Sequence, residues 1–181
     1  MNEADSGFLD EQLSRARLGE STGLSALVRA HQRSVYSLAL RMLGTKDLAE
    51  DLTQDVFMQL SGNLTSIESN QHLAFWLRKV TANRAIDAIR RRSRVVMTSL
   101  DEAGQLFSAE EGGDPLLQRH LRDLLQELTP QARAVLLLRF QEDLDPLDIS
   151  RTLDMPINTV KSHLKRSLDT LREKTCEDHP T

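Results

Sequence analysis

Apolar residues recur every three or four positions along most of the chain, which predicts amphipathic helices rather than strands. The pattern predicts a short first helix around residues 9–16 and a long second helix over about 22–43. Gly44 ends the second helix, and a third helix follows over 46–60. A polar segment then leads into a fourth helix over about 72–92. The first half of the chain is therefore expected to be a bundle of helices.

The stretch 145–174 has the pattern of two helices joined by a tight turn. Asp145 followed by Pro146 predicts a helix start, because the aspartate caps free backbone N–H groups and proline lacks the N–H that would be unpaired there. A later proline ends this helix, and Asn158 or Thr159 is expected to cap the next one. That second helix has a single apolar stripe, made of Val160, Leu164, Leu168 and Leu171.

The outer face of the second helix of this pair combines hydroxyl and basic side chains. A short helix, a turn and a helix with such a face form the helix-turn-helix pattern, in which the second helix enters the major groove and reads base edges. A plain helical hairpin with a solvated basic face has the same spacing and remains an alternative from this stretch alone. The candidate DNA-binding residues are Asn158, Thr159, Lys161, Ser162, Lys165 and Arg166.

Two further helix starts, Asp114-Pro115 and Thr129-Pro130, precede this pair and predict two more helices. Their core candidates are Leu117, Leu121, Leu124, Leu128, Val135, Leu136, Leu138 and Phe140.

The third helix has an acidic face opposite its apolar one. Carboxylates grouped in this way are an ordinary solvated surface or a docking face for a basic partner, and the spacing does not decide between the two. The residues of this face are Asp47, Asp51, Gln54, Asp55 and Met58.

The fourth helix has apolar residues on two nearly opposite faces and a strongly basic second half. Such a helix packs on two sides or leaves one side for a partner. Trp76 is expected to be a core residue, with base stacking as the alternative. Asn83 lies between the aromatic and basic parts, where its side chain could meet an unpaired base. Arginines this dense suit phosphate contact, and the basic candidates are Arg78, Lys79, Arg84, Arg90, Arg91 and Arg92.

Charge is segregated along the chain although the formal net charge is only −4. Residues 76–94 carry seven basic residues and one acidic residue, whereas 95–115 carry five acidic residues and no basic one. Local fields rather than the total decide what binds where. We predict an all-α fold of two small helical domains joined by a flexible acidic linker, with the helix-turn-helix in the second domain. The predicted boundaries are 1–94 for the first domain, 95–113 for the linker, 114–176 for the second domain and 177–181 for the tail.

No residue pattern typical of a catalytic or metal site accompanies these features. The paired carboxylates lack a glycine-rich loop or a nucleophile nearby, and the histidines and Cys176 show no metal-ligand spacing. His31 is expected to be packed and hydrogen-bonded. We therefore expect neither enzymatic activity nor a cofactor. A single cysteine, an acidic N-terminus and the absence of a long apolar run favour a soluble cytoplasmic protein without direct membrane insertion.

Four stretches in this order and spacing resemble the bacterial extracytoplasmic function (ECF, group 4) sigma factor family. They are DLAEDLTQDVFMQL (47–60), FWLRKVTANRAIDAIRRR (75–92), LTPQARAVLLLRF (128–140) and DISRTLDMPINTVKSHLKR (148–166). The resemblance covers nearly the whole chain.

The resemblance implies a role for each surface. The acidic face of the third helix would dock on core RNA polymerase, and the helix-turn-helix would read the −35 promoter element. The fourth helix would hold the −10 element of promoter DNA, with Asn83 near a flipped-out base and the basic residues on the backbone. The acidic linker would run through a polymerase channel otherwise occupied by RNA. An anti-sigma factor, soluble or anchored in a membrane, would hold the protein inactive.

Several positions depart from the family pattern. Asp143, Pro146 and Leu147 replace its usual glycine, aromatic and acidic residues, and Asp154 and Asn158 stand where glycine is common. Aspartate and asparagine tolerate a left-handed backbone, so the turn is expected to form. Ser150 replaces a usual alanine at the contact between the two helices of the motif, which should be tolerated, and His163 replaces a common arginine on the recognition helix. Because His163 replaces a permanent cation, it affects which −35 sequence the helix prefers and how strongly the helix contacts phosphate. The role of the helix is expected to be the same.

Two other functions compete with this interpretation. A helix-turn-helix regulator that binds duplex DNA without being a sigma subunit would need a ligand pocket or a phosphoacceptor domain upstream, where the sequence has an arginine-rich helix instead. A polymerase-binding adaptor that does not read promoters would have no use for those arginines.

Overall fold

The computed structural model describes residues 3–96 and 115–177, and all regular elements in these two ranges are helical. The α-helices are α1 Glu3–Arg17, α2 Ser21–Leu43, α3 Lys46–Ser61, α4 Asn70–Val96, α5 Pro115–Glu127, α6 Pro130–Phe140, α7 Pro146–Leu153 and α8 Ile157–Glu177, with a 3-10 turn at Leu64–Ser66. The predicted all-α fold with two helical domains is confirmed. The linker predicted at 95–113 and the tail predicted at 177–181 lie almost entirely outside the described residues.

The first domain is a bundle in which α2 packs against α1, α3 and α4. Gly44 closes α2 with a left-handed backbone (φ 75°), and its N–H donates to the carbonyl of Leu40. Glycine suits this position because it lacks the Cβ that makes positive φ costly. The predicted apolar faces are buried, and fully or almost fully buried members are Leu13, Leu27, Leu38, Ala39, Met42, Val56, Leu60, Leu73 and Leu77.

The second domain places α6 and α7 against α8. Asp145 caps α7 as predicted, since its Oδ1 accepts hydrogen bonds of 2.8 Å from the N–H groups of Leu147 and Asp148. Thr129 caps α6 in the same way, by accepting from the N–H of Ala132. The turn between α7 and α8 passes through Asp154 in a left-handed conformation (φ 49°), as expected for an aspartate in a glycine-like position.

Several local predictions are wrong. Helix α8 begins at Ile157, with the N–H groups of Thr159 and Val160 bonded to the Pro156 carbonyl, so Asn158 and Thr159 lie inside its first turn and do not cap it. Proline has a φ close to the helical value, so the chain enters the helix as soon as the ring is passed.

Two residues predicted for the core of the second domain are exposed. Phe140 is 64% exposed at the end of α6, with the Arg139 guanidinium 5.8 Å from its ring centroid, and Leu121 is 49% exposed on α5. Helix α5 buries Leu124 and the neighbouring Leu125 instead, so its buried face is narrower than the leucine spacing predicts.

The two domains pack against each other through α4, which contacts α6 and α7, and through α2, which contacts α5 and α6. Arg133 of α6 is 3% exposed and donates from Nη1 to the carbonyl of Met42, in the last turn of α2. A cation at this position is favourable because the C-terminal end of a helix is negative. Within the described residues, no helix is long and apolar enough to cross a membrane.

Candidate nucleic-acid and polymerase interfaces

Helix α4 lines an open groove of about 520 Å³ on the surface of the first domain. Phe75, Trp76 and Asn83 line it from α4, together with basic side chains of the same helix and Gln59 of α3. Trp76 is half-buried and packs against the core as predicted, yet one side of it faces the groove. Aromatic rings beside an amide and cations suit an unpaired base, because stacking accepts any base and the amide can pair with its edge.

Sequence reasoning did not assign Gln59, His72 or Phe75 to this groove, although all three line it. The signal that was available is the pair of apolar faces on α4, because two such faces offer more apolar side chains than one core buries. Both faces enter the core, through Leu77 on one and Ile86 on the other, and Trp76 and Phe75 are left to line the groove. Gln59 is on a different helix, α3. Its side-chain oxygen accepts a 3.0 Å hydrogen bond from Arg84 Nε, which holds it at the groove.

The arginines at the end of α4 are presented to solvent. Arg90, Arg91 and Arg92 are exposed, and an i,i+3 contact of 3.9 Å joins Arg90 to Asp87. Exposed pairs of this kind contribute little to stability, so these cations remain available for an anionic partner.

The candidate reading face of the helix-turn-helix is also exposed. Helix α8 buries Val160 completely and packs Leu164, Leu168 and Leu171 against the core, which turns the opposite side outward. The residues on that outward side are the predicted ones, Asn158, Thr159, Lys161, Ser162, Lys165 and Arg166.

The acidic face of α3 is exposed along its whole length, and Met58 within it is 65% exposed. Asp55 on this face accepts a 3.2 Å contact from Arg84 Nη1, so α3 and α4 are joined at the edge of the groove. The other exposed members are Asp47, Asp51 and Gln54.

Three of the candidate −10 residues contact the second domain. Arg78 Nε donates to Glu142 Oε2 at 2.8 Å, and Lys79 Nζ lies 2.9 Å from Asp154 Oδ2. Asn83 Nδ2 donates to the carbonyl of Thr152 at 3.4 Å. The predicted residues of α4 are therefore brought together on one surface, and part of that surface is covered.

The buried polar groups near this surface are structural. His31 is on α2, and its Nε2 lies 3.2 Å from Asn70 Oδ1 at the start of α4. Burial lowers the pKa of His31, and Arg78 lowers it further against the opposing effect of the Asn70 hydrogen bond. Burial also lowers the pKa of Arg133 to about 10, so this guanidinium keeps its charge at neutral pH. Across the described ranges, no three histidine, cysteine, aspartate or glutamate side chains are grouped to hold a metal ion.

Comparisons with known proteins match both halves of the chain. Residues 27–95 match the Sigma-70 region 2 family, and residues 118–171 match the Sigma-70, region 4 family. The RNA polymerase sigma-E factor of Streptomyces coelicolor is 30% identical over 159 residues, which cover 87% of this chain and 88% of that protein. The ECF RNA polymerase sigma factor SigE of Mycolicibacterium smegmatis is 35% identical over 155 residues. That match covers 81% of this chain but only 59% of the M. smegmatis protein.

The chain belongs to the ECF family of RNA polymerase sigma factors. The solved structure of the sigma factor RpoE in complex with the anti-sigma factor NepR from Bartonella quintana has the same fold, with a TM-score of 0.70 and 24% identity. That comparison covers 84% of this chain and 96% of the RpoE chain. The structure of CnrH with the cytosolic domain of CnrY also gives a TM-score of 0.70, at 17% identity, covering 94% of this chain and 99% of CnrH.

The two family matches place the candidate surfaces of this sigma factor in separate regions. The acidic face of α3 and the groove on α4 lie within region 2, and the exposed face of α8 lies within region 4. Helix α1 precedes the region 2 match and is packed on α2. The sigma factor thus presents a basic, aromatic-lined groove and a basic helix face on two different domains.

Proposed function

We propose that this ECF sigma factor, a member of group 4, binds core RNA polymerase in the cytoplasm and directs it to promoters by contacting the −10 and −35 elements. The protein contributes binding and strand capture and catalyses no reaction of its own. The observation that carries the proposal is the presence of two candidate DNA faces on separate domains, beside an exposed acidic face that suits a basic partner.

The groove on α4 is the proposed −10 site. A base that enters the groove must first leave its stack, which costs a few kcal/mol and least where the strands are already separated. Stacking on aromatic side chains contributes roughly 1–3 kcal/mol per base and offsets that cost. Asn83 would contact the edge of such a base, and the exposed arginines at the end of α4 would neutralise its phosphates.

The outward face of α8 is the proposed −35 site. A recognition helix carries its base contacts near its N-terminus, which in α8 is where Asn158, Thr159, Lys161 and Ser162 lie. Lys165 and Arg166 are one turn further along and suit phosphate contact.

The exposed face of α3, formed by Asp47, Asp51, Gln54, Asp55 and Met58, is the proposed docking surface for core polymerase. An acidic surface with one exposed methionine complements a basic surface with an apolar centre, and such complementarity accelerates association. We also propose an anti-sigma factor as a regulatory partner, because the RpoE and CnrH structures with this fold were both solved as complexes.

Run-off transcription with purified core polymerase, on templates with randomised upstream sequences, tests this function. Specific transcripts should disappear with Asn83→Ala plus Arg90→Ala and weaken with Lys161→Ala. The matched control is Gln32→Ala plus Arg172→Ala, since both side chains are exposed and lie outside the three proposed faces. It should transcribe like the unaltered protein.

Two outcomes would reject the proposal in favour of a specific alternative. Salt-sensitive binding to duplex DNA without any binding to core polymerase would identify a helix-turn-helix regulator. Binding to core polymerase without promoter opening would identify an adaptor.

A further inference from the structure

Helix α1 precedes the region 2 match, and the proposed function assigns it no role. It packs on α2 and also contacts α4 and the 3-10 turn at Leu64–Ser66. That turn lies in residues 62–69, which connect α3 to α4 and are called the α3–α4 loop below. Gln59 and His72, which both line the groove, lie just before and just after this loop. A shift of the loop would therefore move one wall of the groove.

Two charged side chains of α1 are bonded to the backbone on either side of the turn. Asp10 Oδ1 accepts a 2.6 Å hydrogen bond from the N–H of Asn70, the first residue of α4. Arg17 Nε donates to the carbonyl of Leu64 at 3.3 Å. A carboxylate is favourable at the start of α4, because the N-terminal end of a helix is positive. Hydrogen bonds to charged groups are also stronger than those between neutral groups.

The two contacts come from one side of α1. Asp10 and Arg17 are seven residues apart, which is close to two turns, so their side chains point in nearly the same direction from positions about 10 Å apart along the helix. Their backbone partners, Leu64 and Asn70, are six residues apart, and Ile67 between them is fully buried. Since a loop held at one point can pivot and a loop held at two cannot, these contacts fix its position against α1.

The loop in turn holds His72 at the groove. The N–H of Glu68 donates to His72 Nδ1 at 3.2 Å, and Ser69 Oγ accepts from the backbone N–H of His72 at 3.1 Å. A donor bonded to Nδ1 needs the lone pair there, so the neutral ring carries its proton on Nε2. The position of the loop thus determines both where this imidazole lies and which of its nitrogens is a donor.

We infer that Asp10 and Arg17 are positioning residues for the proposed −10 site, and that they brace the α3–α4 loop so that the groove distinguishes between bases. The inference rests on the proposed function of α4. The groove is lined by residues of α3 and α4, so the two α1 residues act without touching the strand in it. A site discriminates between ligands only when supporting contacts hold its side chains in place. Without the brace, the wall that carries His72 would shift, and the groove would accept more kinds of base.

The test compares holoenzymes of core polymerase and the full-length protein on a pool of templates with randomised −10 and −35 elements. A transcribed barcode identifies the upstream sequence of each template. Preference at each position is the transcript yield of the favoured base divided by the mean of the other three. Asp10→Ala plus Arg17→Ala should lower the largest −10 preference about tenfold, which is within the range of one base-specific contact. The −35 preferences should not change, because the proposed −35 face is on α8.

Two control variants separate positioning from charge and from stability. Glu11→Ala plus Arg29→Ala removes one acidic and one basic side chain from exposed positions of α1 and α2, and it should leave both sets of preferences intact. Leu38→Ala removes a core side chain of α2 that is 1% exposed. It should lower the unfolding temperature and the total transcript yield, but neither set of preferences.

Two further variants keep the test decisive if the double alanine variant does not fold. Arg17→Ala alone changes an exposed residue at the end of α1 and should lower the same −10 preference by a smaller factor. Asp10→Asn plus Arg17→Lys keeps an oxygen acceptor and a cationic donor, so its −10 preferences should lie within about twofold of those of the unaltered protein.

Three results would overturn the brace. Unchanged −10 preferences in the alanine variants would show that the loop keeps its position without α1, and the promoter function would stand. An equal loss in Leu38→Ala, or a parallel loss of −35 preference, would show a general effect of stability. If the unaltered protein gives no promoter-specific transcripts with core polymerase, the proposed function fails and the brace with it.

Discussion

The imidazole of His31 is buried between α2 and the start of α4, where the hydrogen bond to Asn70 holds it. Asn70 is itself fully buried, and its backbone N–H donates to Asp10 Oδ1 at 2.6 Å. These contacts connect α1, α2 and α4 through polar groups inside an apolar bundle. Because burial lowers the pKa of His31, the folded protein holds this residue neutral.

Acidification should therefore destabilise the first domain. The unfolded chain binds a proton on His31 near pH 6.5, whereas the folded chain binds it only at lower pH. Between these two values the unfolded state carries more protons, so the free energy of unfolding falls as pH drops below 6.5, by at most about 1.4 kcal/mol per pH unit from this group. Urea unfolding between pH 7.5 and 5 measures the slope.

The variant His31→Gln should reduce this pH dependence while keeping an amide donor for Asn70. Gln32→Ala, a change at an exposed and uncharged neighbour on α2, is the control and should leave the slope intact. An unchanged slope in His31→Gln would show that other groups cause the acid sensitivity.

Arg133 is the main polar contact between the second domain and the end of α2. Besides the Met42 carbonyl, it donates to the side chain and carbonyl of Gln126, at 2.7 and 2.8 Å, and to the Leu128 carbonyl at 3.4 Å. A lysine cannot reproduce this planar fork of donors.

Arg133→Lys should lower the free energy of unfolding by about 2 kcal/mol or more, because buried carbonyls lose partners in a charged hydrogen-bond set. Guanidinium chloride unfolding measures the change. Arg151→Lys, at an exposed arginine paired with Asp148, should cost less than about 0.5 kcal/mol. Equal effects at the two positions would contradict the contact role of Arg133.

At the scale of single residues, the sequence predicted which side chains are buried but not which residues they form hydrogen bonds with. The position of His31 on an apolar helix face predicted a packed, hydrogen-bonded histidine, which is confirmed. Its partner Asn70 is 39 residues away, and no local pattern indicates such a pairing. Arg133 lies within a run of buried apolar residues in α6. From its charge alone, an arginine at this position would be predicted to face solvent.

At the scale of helices, α1 and α2 approach each other closely at Gly23. A Cβ added to this glycine would lie 2.7 Å from both the Ala16 nitrogen and the Gln12 carbonyl oxygen. These are backbone atoms, so α1 would have to move to accommodate it.

Gly23→Ala should destabilise the first domain by about 1–3 kcal/mol, in spite of the higher helix propensity of alanine. Gly7→Ala in α1 is the matched control, since an added Cβ there meets nothing within 4 Å. It should stabilise the protein by about 0.5–1 kcal/mol. Thermal unfolding of both variants gives the comparison, and stabilisation by Gly23→Ala would refute the close approach.

Helix boundaries could be predicted where a residue carries its own signal. Gly44 marks a helix end and Thr129-Pro130 and Asp145-Pro146 mark helix starts. Each acts through contacts within four residues, and the structure confirms each. Asn158 and Thr159 were wrongly predicted to cap α8, because the polar residue types that cap helices also occur inside the first turn. Thr45 occupies the cap position of α3, yet its side chain makes no capping hydrogen bond.

At the scale of the whole molecule, the sequence predicted two helical domains but not the way they pack. Glu142 and Asp154 are separated from their basic partners by 64 and 75 residues, and a single sequence gives no pattern for contacts at that distance. The sequence showed that basic and acidic residues are segregated along the chain, but the acidic charge was assigned to the linker alone. The structure shows that acidic side chains of the second domain also face the basic helix α4.

Energy transfer between the two domains, followed during a titration with core RNA polymerase, would show directly whether the packed domains of the free protein separate when it binds. Fluorophores would be placed by Gln32→Cys in α2 and Asp169→Cys in α8, both exposed positions outside the proposed faces, in a Cys176→Ser background. We expect high transfer in the free protein, because the domains are in contact, and a saturable loss of transfer at one polymerase per sigma factor. Transfer that stays constant as core polymerase is added, or that is already low in the free protein, would contradict it.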